Sequence, residues 1–321
     1  MISSTRILGL DIGGTKCAVS VLDPEQGVVE VLRIPTTTKD ETLGRLYQEL
    51  ASQSATCPVV VGISCGGPLD EVNGLICSPP NLPDWENVPI VAEVTECVGG
   101  PAFLMNDANA GTLAEWIDGA GQGAQHMAFL TCGTGLGAGL ILNGQLYSGR
   151  SGQAGELGHL RLTPEGPVGY GKAGSAEGWC SGGGLAHMAE EVGPSLRETL
   201  NLPAGHPLTA RHVGEAAAAG NPEALHLFET FGRRLGLTLS LLIDLLNLDT
   251  IVIGSLFARC EKWIRPAMED CLRQESLPSS LQDCRICASQ LGESIGNVAA
   301  IRAATYHLSM KKTGEGFEIA N

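Results

Sequence analysis

Five short stretches hold the residue types that could do chemistry, and glycine runs through each of them or flanks it. DIGGTK (11–16) puts Asp11 at the end of an apolar run, followed by a Gly13-Gly14 turn, Thr15 and Lys16. A carboxylate beside a turn of backbone N–H groups and a hydroxyl suits phosphate oxygens plus a magnesium ion, which favours carboxylate and water ligands. TCGTGLGAG (131–139) repeats the turn as Gly133, Thr134 and Gly135, without the acid. Either hairpin alone could be purely a turn; the pair suggests a triphosphate held by two hairpins. Neither is a P-loop, and GTGLGAG does not match GxGxxG ahead of a helix.

MNDANAG (105–111) sets Asn106 and Asp107 where a strand gives way to a helix. An aspartate there ordinarily serves as a helix N-cap. Its functional reading is a general base that accepts a hydroxyl proton during phosphoryl transfer, with Asn106 fixing the acceptor. GELGH (155–159) supplies Glu156 and His159 on a glycine-flanked loop. Such a pair can hydrogen-bond vicinal hydroxyls, His159 can ligate a metal, or both can be satisfied surface groups. The glycine-rich GPVGYGKAGSAEGWCSGGG (166–184) follows, with Glu177 as its one glutamate.

The elements that must position these groups read as strands and helices in turn. Strands are expected at 7–10, 16–22 and 28–34, with turns at Gly13-Gly14 and DPEQG. A helix is expected from Asp40 to Ser54, with Leu43, Leu46, Tyr47 and Leu50 on one face. PVVVGIS is a buried-type strand, a Gly/Pro-rich loop reaches SPPNLPDW, and AFLMN is a short strand leading into a helix near Asp107. MAFLTCGTGLGAGLILNGQLY then restates the opening as strand, Gly-Thr-Gly turn, strand, Asn-Gly hairpin and strand. This duplication of architecture points to two similar lobes. A long helix at 222–247, the strand TIVIGS and a last helix, IGNVAAIRAATYHLSM, follow.

Bulk composition narrows the class. At 321 residues the chain has room for roughly two domains. A net charge of −15 without a basic stripe argues against nonspecific binding to nucleic acid or membrane, both anionic. No apolar run reaches the roughly 18 residues that span a bilayer. MISSTRILGLDIGG leaves no room for a signal peptide, so the expected location is cytoplasmic. The 11 cysteines are scattered, often in apolar runs, and are expected to stay reduced. The one CxxC, Cys284 to Cys287, is weak evidence for metal or redox work. Glycine is the anomaly: 43 residues, aperiodic, at the ends of apolar runs, where backbone can come close to a ligand.

Taken together, these motifs resemble the ROK family (repressors, open reading frames and sugar kinases) of the actin-like ATPase superfamily. The resemblance runs through DIGGTK, GISCGGP (62–68), SPPNLPDW (78–85), MNDANAG, TCGTGLGAGLILNGQLYSG, AGELGH, the segment around Glu177 and Ser181-Gly182, and IVIGS (251–255). It implies an α/β, two-lobed actin-like ATPase (ribonuclease H-like) fold with a nucleotide and sugar cleft between lobes. The expected division is 1–117 plus 298–321 for one lobe and 118–297 for the other. It implies ATP and Mg2+, with Asp107 as catalytic base for a hexose 6-hydroxyl. Glu156, His159 and Glu177 would hold the sugar's anomeric side, and Asn106, Asn81 and Gly67 its other hydroxyls. Asp11 would organise the magnesium, through water. Gly13, Gly14, Thr15, Lys16, Gly133, Thr134 and Gly135 would line the phosphates, and Gly254 would lie against the adenosine. A homodimer is implied as well.

Many ROK proteins carry CxCGxxGCxE, whose three cysteines and the preceding motif's histidine bind a structural zinc. Here the segment is VGYGKAGSAE: Val168, Tyr170 and Ser175 occupy the cysteine positions, while Gly171, Gly174 and Glu177 match. Cys180 lies outside them. One histidine without thiolates cannot close a tetrahedral site, so no zinc is expected. Tyr170 and Trp179 are then candidates for packing the loop down. The leading function is a glucokinase-type kinase, Glu156 within GELGH favouring glucose. N-acetylmannosamine, N-acetylglucosamine, fructose and allose remain as substrates, and a non-catalytic sugar sensor as an alternative. A repressor would need a DNA-binding domain ahead of the first strand, where half a dozen residues stand, so no nucleic-acid partner is expected.

Overall fold

The computed structural model describes residues 5–313, with side chains to residue 310. Its chain forms two compact units, Met1–Ala114 with Glu293–Asn321, and Glu115–Gly292. Each is built on its own five-stranded sheet.

In the first unit β1 (Arg6–Ile12), β2 (Lys16–Asp23) and β3 (Gly27–Pro35) form an antiparallel meander. Next come α1 (Lys39–Ser54), β4 (Val59–Cys65), the two-residue strands β5 (Leu69–Asp70) and β6 (Leu75–Ile76), α2 (Ile90–Val98), β7 (Ala102–Asn106) and α3 (Asp107–Asp118). The sheet order is β3-β2-β1-β4-β7, with β1, β4 and β7 parallel. Every residue of β4 is buried, as a central parallel strand covered on both faces requires. Helix α1 buries Leu43, Leu46 and Leu50 at helical spacing, as its pattern predicts.

The second unit repeats the plan. It comprises β8 (Met127–Cys132), β9 (Leu136–Leu142), β10 (Gln145–Leu146), β11 (Val168–Gly169), β12 (Lys172–Ala173), α4 (Ala176–Cys180), α5 (Gly182–Glu191), α6 (Gly193–Leu200) and α7 (Ala210–Ala218). The chain continues through α8 (Pro222–Leu246), β13 (Thr250–Ile253), α9 (Leu256–Glu275), α10 (Pro278–Asp283) and β14 (Arg285–Ala288). Sheet order β10-β9-β8-β13-β14 mirrors the first, again an antiparallel meander joined to parallel strands. The glycine-threonine turns thus join the first two strands of each sheet. The Asn143-Gly144 hairpin takes positive φ at both residues, 53° and 68°, as a type I′ turn demands. Helices α9 and α10 and strand β14 fill a stretch for which the sequence pattern gave no expectation.

The chain returns to the first unit with α11 (Ile295–Thr313), which packs on β1 and β4. Gly9 and Gly62 make this possible: a Cβ at 9 would stand 3.0 Å from Ala300 Cβ, and one at 62 would overlap the Ala300 carbonyl. Ala300, Ala303 and Ala304 are fully buried on the facing side. Among the described residues no helix is long and apolar enough to cross a membrane.

Glu115, the first residue of the second unit, is fully buried. Its carboxylate accepts bonds from Ala120 N, Ser289 Oγ, Gln290 N and Leu291 N. Four donors on one carboxyl group replace the water it has lost, as a buried polar group requires.

Candidate active site

In the first unit the DIGGTK turn is pinned from below. Gly13 N donates to Lys16 O at 3.1 Å, Thr36 Oγ1 donates to Gly13 O at 2.6 Å, and Thr36 N donates to Thr15 O at 3.0 Å. The Gly13 and Thr15 carbonyls are therefore occupied by Thr36, just past β3, which removes two acceptors that would repel an anion. Gly14 has no room for a side chain, since its Cβ would stand 2.5 Å from Asn81 Cβ and 2.8 Å from Asn81 O. That approach seats exposed Asn81 on the turn, its loop anchored by buried Leu82 and Trp85.

Asp11 leaves β1 half-buried, and its carboxyl is raised to about 6. Burial is the largest cause and the Asp107 charge the second; Lys16 and Arg33 pull the other way. Lys16 also pairs with Glu293 at 3.6 Å. A desolvated carboxylate facing a second carboxylate is the donor type a hard divalent cation relieves, so Asp11 fits a magnesium ligand, direct or through water.

At the β7–α3 junction the two neighbours divide the work. Asn106, not Asp107, caps the helix: its Oδ1 accepts from Ala108 N at 3.0 Å and from Asn109 N at 3.4 Å. Asp107 is the first helical residue and remains exposed, with Oδ1 near Ala108 N at 2.9 Å. Its carboxyl is pushed above the ordinary aspartate value by the desolvation of its surroundings. Gly66 and Gly67 leave space beside the pair. A Cβ at 66 would lie 3.6 Å from Asp107 Oδ2, and one at 67 would lie 3.6 Å from Asn106 Nδ2. Asp11, the 13–16 turn, Asn81, Gly67, Asn106 and Asp107 thus all belong to this unit, at one end of its parallel strands.

The second unit repeats the device with different parts. Gly182 N donates to Gly133 O at 2.7 Å, and Gly183 N donates to Thr134 O at 3.0 Å. The N-terminus of α5 therefore grips the Gly133–Thr134–Gly135 turn, and Ser181 Oγ caps that helix by accepting from Gly184 N. Gly254 N bonds Leu130 O, and the neighbouring Ser255 Oγ lies 3.7 Å from where a Gly133 Cβ would be, so the IVIGS segment borders the same turn.

Glu177 is fixed to this hairpin. Its Oε2 accepts from Leu136 N at 3.1 Å and would stand 2.7 Å from a Cβ on Gly135. Gly158 and Gly169 also face it, with Cβ positions 3.3 Å and 2.8 Å from Glu177 Cβ. Three bare backbones surround the glutamate, which is what the glycines of this region accomplish. Glu156 and His159 are exposed at a 3-10 turn, Leu157–His159, whose Gly158 meets Glu177.

The 166–184 segment is held by hydrogen bonds. β11 and β12 pair through a turn at Tyr170 (φ 48°) and Gly171 (φ 73°), again type I′. Ser175, fully buried, donates from Oγ to Gly169 O at 3.2 Å and accepts from Gly178 N at 3.1 Å, joining hairpin to helix α4. Arg161 donates to Ala173 O at 2.6 Å, and Lys172 Nζ to His159 O at 2.7 Å. Trp179 donates from Nε1 to Thr163 Oγ1 at 2.8 Å and lies under the Arg234 guanidinium, 4.8 Å from the ring centroid. Trp179 thus anchors the loop as expected. Tyr170 does not: it is 64% exposed and reaches only the His159 ring edge, 6.3 Å between centroids. The turn geometry points position 170 outward. Val168 is 59% exposed, so the cysteine positions of the zinc motif hold two exposed side chains and one buried hydroxyl, which do not fit a zinc ion. All eleven cysteines are free thiols, and burial pushes Cys284 up to about 12.

Sequence reasoning missed Glu71, which accepts from Asn106 N, and Ser175 as a staple. Neither carries a motif signal.

Known proteins resemble this chain over most of its length. The glucokinase of Thermotoga maritima is 30% identical over 304 residues, covering 92% of this chain and 96% of the relative. The N-acetylmannosamine kinase of Citrobacter koseri is 35% identical over 225 residues, 69% of this chain and 73% of the relative. The ROK glucokinase of Streptomyces griseus, solved with glucose and AMPPNP, superposes with a TM-score of 0.78 at 30% identity over 94% of this chain and 99% of that one. A sequence model of the ROK family matches residues 7–305, and the chain belongs to the ROK family.

Proposed function

We propose that this protein is an ATP-dependent hexose kinase that phosphorylates the 6-hydroxyl of glucose. The observation that carries the reading is Asp107: with Asn106 serving as the cap, its carboxylate is left accessible and more basic than an ordinary aspartate. Such a group takes the proton from an attacking hydroxyl as phosphoryl transfer proceeds. Asn106, Asn81 and Gly67 hold sugar hydroxyls near that base. Glu156, His159 and Glu177 hold the anomeric side, Glu177 with the oxygen that Leu136 N–H leaves to it. The 13–16 and 133–135 turns, with the Gly13, Thr15, Gly133 and Thr134 carbonyls tied down, offer N–H groups and hydroxyls to the phosphates. Gly254 borders the adenosine. Asp11 would hold Mg2+, directly or through water, and the ion would neutralise charge on the phosphates.

Support for glucose comes from Glu156 in the GELGH loop and from the glucokinase relatives. The N-acetylmannosamine kinase relative favours that amino sugar as the second reading. ADP release, measured across glucose, N-acetylmannosamine, N-acetylglucosamine, fructose and allose, tests both. Glucose is expected to give the highest kcat/KM, and Asp107→Asn to lower kcat by about 10²- to 10⁴-fold. Sugar binding without turnover in the unaltered protein would overturn the kinase reading in favour of a sensor. The same preparation is expected to be a homodimer by light scattering.

A further inference from the structure

We infer that Glu71 is a positioning residue for the proposed base, acting through the backbone of Asn106. Glu71 lies in the turn between β5 and β6, 35 residues from the bond it makes: its Oε1 accepts from Asn106 N at 2.7 Å. That N–H belongs to the last residue of β7, immediately ahead of Asp107. Glu71 is half-buried, and burial raises its carboxyl while the Asn106 bond lowers it. Among the described residues no lysine or arginine forms an ion pair with it. A desolvated carboxylate bonded by the Asn106 N–H is poorly explained as a stabilising ion pair.

The platform beneath it is rigid. Asp70 accepts from Asn73 N at 3.0 Å and from Asn73 Nδ2 at 2.7 Å, closing the turn on itself. Gly74 (φ 68°) abuts Val91 of α2, with its Cβ position 2.5 Å from Val91 Cβ, and Val91 N donates to Gly74 O. Cys77 N donates to Pro68 O at 3.0 Å, tying the same excursion to the Gly66-Gly67 segment that faces Asn106 and Asp107. Asn106 is then fixed twice: its N–H by Glu71, its Oδ1 by the first N–H groups of α3. Its side-chain amide and the Asp107 carboxylate are the groups left to meet substrate. Displacement of a catalytic group by about 1 Å can cost about 10²-fold in rate, so this clamp bears on kcat more than on nucleotide binding.

This inference rests on Asp107 being the base, and the experiment separates the two. Steady-state kinetics with glucose and MgATP compare Glu71→Gln, which keeps the reach and the acceptor, with Glu71→Asp, which keeps the charge but falls one methylene short. Glu71→Gln is expected to retain kcat within about threefold, and Glu71→Asp and Glu71→Ala to lose about 10- to 100-fold in kcat with KM for ATP within twofold. A folded Glu71→Asp with unaltered kcat, or a Glu71→Gln as impaired as Glu71→Asp, would overturn the inference. Asp107→Asn is run alongside: if it stays active the base assignment fails, and if it is inactive while Glu71→Asp is normal only the positioning role fails.

Discussion

Gly296 brings the bare backbone of α11 against the Asp11 carboxylate, so closely that a Cβ at 296 would overlap Oδ2. The helix that closes the first sheet therefore limits where this carboxylate can sit. Gly296→Ala must move either the helix or the carboxylate, and overpacking of this kind costs about 1–3 kcal/mol. The expected outcome is a lower melting temperature together with a higher Mg2+ concentration for half-maximal activity. An unaltered Mg2+ dependence in the folded variant would show that Asp11 is not constrained in this way.

The raised Asp11 carboxyl predicts a pH dependence with a definite sign. Its value moves from 3.8 unfolded to about 6 folded, so the native state binds the proton more tightly between those limits. Unfolding free energy from this group is then highest below pH 4 and falls as pH rises through about 6, by about 3 kcal/mol at most. Asp11→Asn is expected to melt higher than the unaltered protein at pH 7.5 without magnesium, the gap shrinking by pH 5.0. Calorimetry at the two pH values checks it; a gap that widens on acidification would contradict the assignment.

Catalysis should lose its base in acid sooner than an ordinary aspartate would allow, because desolvated surroundings raise the Asp107 carboxyl too. The acid limb of kcat against pH is expected at a higher pH than an ordinary aspartate gives, and its midpoint should move little with ionic strength, since desolvation is the leading cause. A limb centred near 4 would show the carboxylate to be well solvated in the working complex.

Ser175→Ala removes both a donor to Gly169 O and the cap on α4, costing about 1–3 kcal/mol together. Because Glu177 follows two residues later, KM for the sugar is expected to rise while KM for ATP holds. Metal analysis of the unaltered protein is expected to find no tightly held zinc, and a zinc-selective chelator to leave activity intact. One zinc per chain would overturn that expectation.

Glu115→Ala leaves four donors without their acceptor and is expected to destabilise by about 3–5 kcal/mol. Chemical denaturation measures this. Glu115→Gln, which can satisfy only part of the set, is expected to fall between.

What could be read ahead of the structure, and what could not, follows from the range of the forces involved. The two glycine-threonine turns, the Asn143-Gly144 hairpin and the junction at Asp107 depend on neighbouring residues, and strand and turn periodicity located them. Which of Asn106 and Asp107 caps the helix turns on backbone angles at adjacent positions, which residue type alone does not settle. Glu71 carries no motif and goes unnoticed in the sequence, because its partner lies 35 residues away. Ser175 read as a missing ligand; only the hairpin and helix together reveal what its hydroxyl joins. Tyr170 read as an anchor because it is aromatic, yet its left-handed turn position sends it to solvent. The glycines around Glu177 could be counted but not assigned, since each answers to a tertiary neighbour.

The Glu115 carboxylate has a topological consequence. It stands at the entry to the second unit and clasps Ser289 to Leu291, next to the exit at Gly292. The second unit is thus an insertion within the first, with its two ends buttoned together by one side chain. Neighbouring ends are the condition for excision and for circular permutation. A segment spanning 115–292 should fold on its own, and its original termini should accept a short linker that opens new ends elsewhere in the unit. Glu115 would then hold closed a seam where the connecting chain no longer runs.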